Sequence, residues 1–336
     1  MNKLPVVPSA DELIDIAFHR ARNAPSRVMA PMGKQRSISI SKVECVSDYL
    51  TNRLEMVIDG YSRLDVSPFA REMLSIELNQ QPADENPLEP QIKRISGCIR
   101  IIRKLRNTHI SRIARSPPSA SLRIREAFYG RITSLIKDIE KDLSTLQKAR
   151  NLFLRLPEIN DSPVVVIAGF PNAGKSSLLN RISSGRTKVA PYPFTTKYIY
   201  VGHAKLGRLD VQFVDTPGLL DRNDDRRNEI ESRAIAAIRH LPDLILFLID
   251  PTGVSGSIDE QVHLLTSIKT IFREKEVLPV FTKCDLLETR VNHPDVRIHI
   301  SSKTGEGIQP LLALIEKKLL IKGTCRNTYP VTGEEH

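Results

Sequence analysis

The stretch GFPNAGKSS, Gly169 to Ser177, follows the apolar run PVVVIAG and opens onto a helical pattern. It fits G-x-x-x-x-G-K-[ST] in the strand-to-helix context that this pattern requires. Backbone N–H groups around the glycines wrap phosphates, and the helix N-terminus adds positive potential. Gly169, Pro171, Asn172, Ala173, Gly174, Lys175, Ser176 and Ser177 are therefore candidate phosphate-binding positions. Lys175 is expected to reach the β- and γ-phosphates, and the Ser176 hydroxyl to take one position on Mg²⁺. Downstream, short Val/Ile-rich runs alternate with helical stretches, which predicts an α/β domain with a mostly parallel sheet and helices on both faces. Its predicted strands are PVVVIAG, a hairpin of YIYVGHAKL and RLDVQFVD, a central DLILFLID, then EVLPVFT and, last, VRIHI.

Three further motifs end predicted strands in this half. In DTPG, Asp215 can hold Mg²⁺ through water, and the Gly218 N–H can sense a γ-phosphate. In TKCD, Asp285 only accepts hydrogen bonds, and the N1–H and N2–H₂ edge of guanine only offers them. Lys283 can lay its alkyl stem along the base, and Thr282 stands where many such sites carry asparagine. In SSK, Ser301, Ser302 and Lys303, the N–H of Ser302 is placed near guanine O6. Order and spacing together point to binding of GTP or GDP with Mg²⁺.

Residues 1–156 read differently, by helical periods. Ser9 caps DELIDIAFHRARNA, Ser67 and Pro68 open SPFAREMLSIEL, and Val43, Val46, Leu50, Leu54 and Val57 share a stripe. Two long helices are predicted from about Leu88 to Ala114 and from Ser119 to about Leu154, broken at SPPS. This predicts an all-α bundle before the nucleotide domain of residues 157–322, with residues 323–336 as a flexible tail. The net charge of +10 is local: between Lys93 and Arg131 lie eleven Lys or Arg and one acid, Glu126. With no balancing acids inside that segment, a polyanion such as RNA is the expected partner. A membrane surface is not, since a membrane-seeking helix should show Trp or Phe on its apolar face and this one offers chiefly isoleucine. The longest apolar run, LILFLI, is too short to cross a bilayer, and MNKLPVVPSADEL has no signal-peptide core. Four scattered cysteines form no metal-ligand spacing, so reduced thiols in a cytoplasmic protein are expected; a monomer is expected as well.

YPFTTKYIYVGH, residues 192–203, and LLDRNDDRRNEIESRAIAAIRHL, residues 219–241, resemble the switch regions of the nucleolar GTP-binding (Nog) family, a branch of the Obg/HflX-like GTPases. The helical half, joined through RLPEI to the P-loop strand, is similar to that family too. The resemblance implies a switch in maturation of the large ribosomal subunit, with the subunit precursor and its rRNA as partners. Thr195 and Thr196 match the switch I pair, Thr196 being the implied Mg²⁺ and γ-phosphate ligand. The long C-terminal extension of eukaryotic members is not in this sequence, so no partner that binds there is expected.

Leu219 follows the DTPG glycine, where many GTPases carry the glutamine that orients attacking water. In related GTPases with a hydrophobic residue there, an asparagine matching Asn172 helps bind K⁺ beside the phosphates; the alternative is that Asn172 caps the loop's turn. The catalytic set implied is Asn172, Lys175, Thr196 and Gly218. Slow GTP hydrolysis without a partner is one expectation, and a nucleotide-gated RNA-binding scaffold with negligible hydrolysis is the other.

Overall fold

A computed structural model describes residues 4–23, 33–62, 66–80, 86–156, 162–217, 237–289 and 291–321. The chain divides into two compact units, Met1–Leu154 and Arg155–His336. The tail expected over residues 323–336 lies outside the described residues.

In the first unit the helices are α1 (Ala10–Arg22), α2 (Lys34–Ser62), α3 (Pro68–Glu77), α4 (Glu89–Arg115), α5 (Ser121–Asp138) and α6 (Glu140–Arg155). Ser9 and Glu12 cap α1 reciprocally: the Glu12 N–H donates to Ser9 Oγ (3.2 Å), and the Ser9 N–H donates to Glu12 Oε2 (2.9 Å). Apolar residues at helical spacing meet in one core: Val43, Val46, Leu50, Leu54 and Val57 of α2, Ile95, Ile99 and Ile102 of α4, and Phe128, Ile132 and Ile136 of α5 are all buried.

The helix predicted from Ser119 to Leu154 is two helices. A short 3₁₀ turn, Pro118–Ala120, precedes α5, and the helix then breaks at Ile139. The Ile139 N–H donates to Ile136 O (3.3 Å), a bond three residues back that tightens one turn. No glycine or proline marks the break. It keeps Ile136, Ile139 and Leu143 buried, and Glu140 Oε2 accepts from the Ala10 N–H at the start of α1 (2.7 Å). Leu122 is exposed, and Ile124 is buried.

The second unit holds a six-stranded sheet in the order β2-β3-β4-β1-β5-β6, with β1 Val164–Gly169, β2 Lys188–Pro191, β3 Tyr198–Leu206, β4 Leu209–Asp215, β5 Leu244–Ile249 and β6 Glu276–Phe281. Strand β1 runs parallel to β4 and β5, β5 runs parallel to β6, and β3 is antiparallel to β2 and β4. Every residue of VVVIAG and LILFLI is buried, as central parallel strands covered on both faces require. Leu178, Leu179 and Ile182 of α7 (Lys175–Ile182) and Ile308, Leu311, Ile315 and Leu319 of α9 (Ile308–Ile321) cover one face. Leu265 and Ile268 are the buried side chains of α8 (Ile258–Ile271), which packs on β1, β5 and β6.

Two expectations change. VRIHI is not a strand: it meets β6 through an isolated parallel bridge, Phe281 to His299, with the Phe281 N–H donating to Ile298 O and the Ile300 N–H to Phe281 O. Strand β2 was not predicted; it is short, mostly exposed and ends at a proline, all features of a sheet edge.

Candidate guanine-nucleotide site and basic helical face

The phosphate loop hangs between β1 and α7. Gly169 has φ +142°, and a Cβ on it would stand 2.5 Å from Leu248 O of β5, so only glycine lets the two strands run this close. Asn172 and Gly174 are left-handed, at φ +66° and +94°. Lys175 is buried and its Nζ donates to Gly169 O (2.7 Å) and Phe170 O (2.8 Å). Its ammonium thus lies in the mouth of its own loop, on carbonyls that phosphate oxygens can replace. Ser176 Oγ donates to Asp215 Oδ2 (2.7 Å), joining the start of α7 to the end of β4. This hydroxyl and buried carboxylate form a hard-oxygen pair that suits Mg²⁺. Ser177 is exposed, Pro171 half-buried and Ala173 buried.

The base-reading segment is tied to that loop. Thr282 is buried, and its hydroxyl faces Ala173 O of the phosphate loop (2.9 Å) and Ile249 O of β5 (3.3 Å). The position that sequence marks as a departure from asparagine therefore makes the link between the two loops through its hydroxyl. Ser301 Oγ donates to Asp285 Oδ1 (2.6 Å) and accepts from the Thr304 N–H (3.1 Å), so the exposed Asp285 carboxylate is held from one side. Ser302 is half-buried and Lys303 exposed beside it.

The switch I threonines are not gathered in. Tyr192 is buried, which pushes its phenol well above the ordinary range. Thr195 turns back on it, with N–H and Oγ1 both donating to Tyr192 O (3.3 and 3.0 Å), while Phe194 is left-handed at φ +62°. Thr196 is exposed and stands outside the Ser176–Asp215 pair. Gly218 and Leu219 lie outside the described residues, as does most of the 219–241 segment. Among the described residues the exposed Asn172 amide makes no hydrogen bond, and its left-handed backbone suits a turn.

Sequence reading missed Asp250. It directly follows β5, fully buried, and accepts from Lys283, Ser255 and Thr252. The available signal was a lone acid at the carboxyl end of an otherwise apolar central strand, where open α/β sheets place ligands.

On α4 the structure revises the charge reading. Balancing acids absent from the Lys93–Arg131 segment arrive from neighbouring helices: Arg103 pairs with Glu55 of α2, Arg106 approaches Asp48 (3.5 Å) and Glu44 (3.9 Å) of α2, and Arg94 Nε donates to Asp142 of α6 (2.8 Å). Lys93 pairs with Glu89 one turn back (2.6 Å). Arg100, Lys104, Arg112, Arg115, Arg123 and Arg131 are exposed and have no ion pair among the described residues. Arg100, Lys104 and Arg115 share one helical face, because separations of four and eleven residues are close to whole turns.

Residues 164–283 match the sequence model of a family described as 50S ribosome-binding GTPase, and residues 1–160 match that of the NOG1 N-terminal helical domain. An uncharacterized protein of Methanocaldococcus jannaschii is 34% identical over 85% of this chain and 81% of its own length. Nucleolar GTP-binding protein 1 of Drosophila melanogaster is 31% identical over 90% of this chain and 47% of its own length, so the chain spans about half of that relative. A crystal structure titled as a nucleolar GTP-binding protein 1 from Plasmodium falciparum is 32% identical, covering 50% of this chain and 92% of its own, with a TM-score of 0.44. With a helical unit of the NOG1 type followed by a P-loop GTPase domain, this GTP-binding chain belongs to the nucleolar GTP-binding (Nog) family.

Proposed function

We propose that this chain is a slow GTPase that acts as a switch in large ribosomal subunit biogenesis and holds ribosomal RNA through its exposed basic helical residues. The single observation that carries the nucleotide half is the tie at Thr282, which sets the phosphate loop and the Asp285 loop on one edge of the sheet. Lys175 exchanges its two carbonyl partners for β- and γ-phosphate oxygens. Asp285 accepts from guanine, with Ser301 fixing its rotamer. Ser176 and Asp215 would hold Mg²⁺, with Thr196 joining them once the switch I turn reorganises; bound Mg²⁺ neutralises charge on the phosphates. Asn172 offers its amide to K⁺, which would supply positive charge where Leu219 supplies none.

The RNA half is supported by six unpaired cations on α4 and α5 and by the similarity to proteins named for the nucleolus and the 50S ribosome. Backbone phosphates accept such charges without sequence selection. A scaffold with negligible hydrolysis is the second reading, favoured by Leu219, which cannot orient water, after the DTPG glycine.

The base assignment is tested by Asp285→Asn. Losing a charge-assisted pair should weaken GTP about a hundred-fold, while xanthosine triphosphate, which has an acceptor where guanine has its amino group, should gain. An unchanged GTP preference measured by titration would refute the role of Asp285.

A further inference from the structure

Asp250 belongs to no step described above, yet it is a fully buried carboxylate at the carboxyl end of a central strand. Lys283 Nζ donates to Oδ2 at 2.7 Å and Ser255 Oγ to the same oxygen at 2.6 Å, while the Thr252 N–H and hydroxyl donate to Oδ1 at 2.9 and 2.6 Å. The backbone of Asp250 is clamped too: its N–H donates to Gln261 Oε1 (2.8 Å), and Gln261 Nε2 donates to Asp250 O (2.8 Å) and Gly256 O (3.1 Å). Burial by itself would raise the carboxyl pKa; the Lys283, Ser255 and Thr252 donors outweigh it and hold the group below its ordinary value, hence ionised.

A buried charge held by neutral donors on a loop of its own needs no lysine from the base-reading segment. Lys283 nonetheless reaches it from a left-handed backbone, φ +56°, a conformation costly for a non-glycine residue. Holding both ends of that side chain, backbone and Nζ, leaves its alkyl stem no freedom to swing, and the side chain stays 22% exposed.

We propose that Asp250 is a positioning residue for guanine recognition: it anchors the Lys283 ammonium so that the lysine stem forms a fixed shelf for the base, with Gln261 fastening that anchor to α8. This rests on the reading of TKCD as the base-binding loop. The shelf contacts the face of the base and not its edge, so it acts on every purine nucleotide that enters. Asp285 sets which purine.

Equilibrium titrations of variants with fluorescent GDP and XDP analogues test it, each paired with thermal unfolding of the nucleotide-free protein. Asp250→Asn keeps shape and removes the charge; it is expected to weaken GDP about tenfold, and to weaken XDP by the same factor in an Asp285→Asn background. Ser255→Ala removes another donor to the same carboxylate and is expected to lower the unfolding temperature while leaving GDP affinity within twofold. Lys283→Arg, which keeps a cation for Asp250, should bind GDP within threefold of wild type, whereas Lys283→Met should lose about tenfold. Wild-type GDP affinity in Asp250→Asn overturns the proposal. If that variant does not fold, equal binding by Lys283→Met and Lys283→Arg overturns it. A wild-type chain that binds no guanine nucleotide would instead refute the underlying reading of the loop.

Discussion

Thr282 illustrates how much one hydroxyl can carry. It has one proton for two buried carbonyls, Ala173 O at 2.9 Å and Ile249 O at 3.3 Å, and through the first it links the base loop to the phosphate loop. Thr282→Val keeps the shape and strands Ala173 O, while Ile249 O still accepts from the backbone N–H of residue 282 (2.9 Å), so the protein should lose about 1–3 kcal/mol of stability and release GDP faster. Thermal unfolding and GDP dissociation check this, and an unchanged melting point with an unchanged off-rate would contradict it. Asn172 is the complementary case, an amide with no partner among the described residues. GTP hydrolysis should rise in K⁺ over Na⁺ at equal ionic strength, and Asn172→Ala should erase the difference while GTP still binds. Identical wild-type rates in the two salts would exclude the ion.

At the scale of elements, the outer faces of α4 separate two kinds of cation. Arg103 and Arg106 meet carboxylates of α2, whereas Arg100, Lys104 and Arg115 meet none among the described residues. Reversing Arg100, Lys104 and Arg115 to Glu should therefore weaken association with large-subunit particles and reduce its salt dependence, roughly one unit of slope per lost phosphate contact, with the melting temperature held. Reversing Arg103 and Arg106 should lower the melting temperature instead, since like charges then face each other across α2 and α4. Particle binding that responds equally to both reversals would undo this division. The helical periods and the run of cations were legible in the sequence because both are local patterns. The ion pairs were not, because Glu44, Asp48, Glu55 and Asp142 lie far from Arg94, Arg103 and Arg106 in the chain and only tertiary packing joins them. The break at Ile139 was equally silent, having no glycine or proline and depending on the contact between Glu140 and Ala10. In the sheet, the fully buried strands were readable from their apolar runs, whereas edge strand β2 has too little buried surface to leave a pattern, and VRIHI has the composition of a strand without its ladder.

At the scale of the whole molecule, the chain joins a helical unit with exposed cations to a GTPase domain whose phosphate and base loops are tied together. Leu219 has no polar group with which to orient an attacking water. On the proposed function, the large-subunit precursor would be both the partner of the basic face and the stimulus for hydrolysis. The direct test is single-turnover GTP hydrolysis in K⁺ with and without large-subunit precursor particles. The account predicts slow hydrolysis alone, a rate at least about tenfold higher with particles, corresponding to about 1.4 kcal/mol off the barrier, and loss of that stimulation in the Arg100, Lys104 and Arg115 reversal. Equal rates with and without particles, under conditions where the particles are bound, would contradict it.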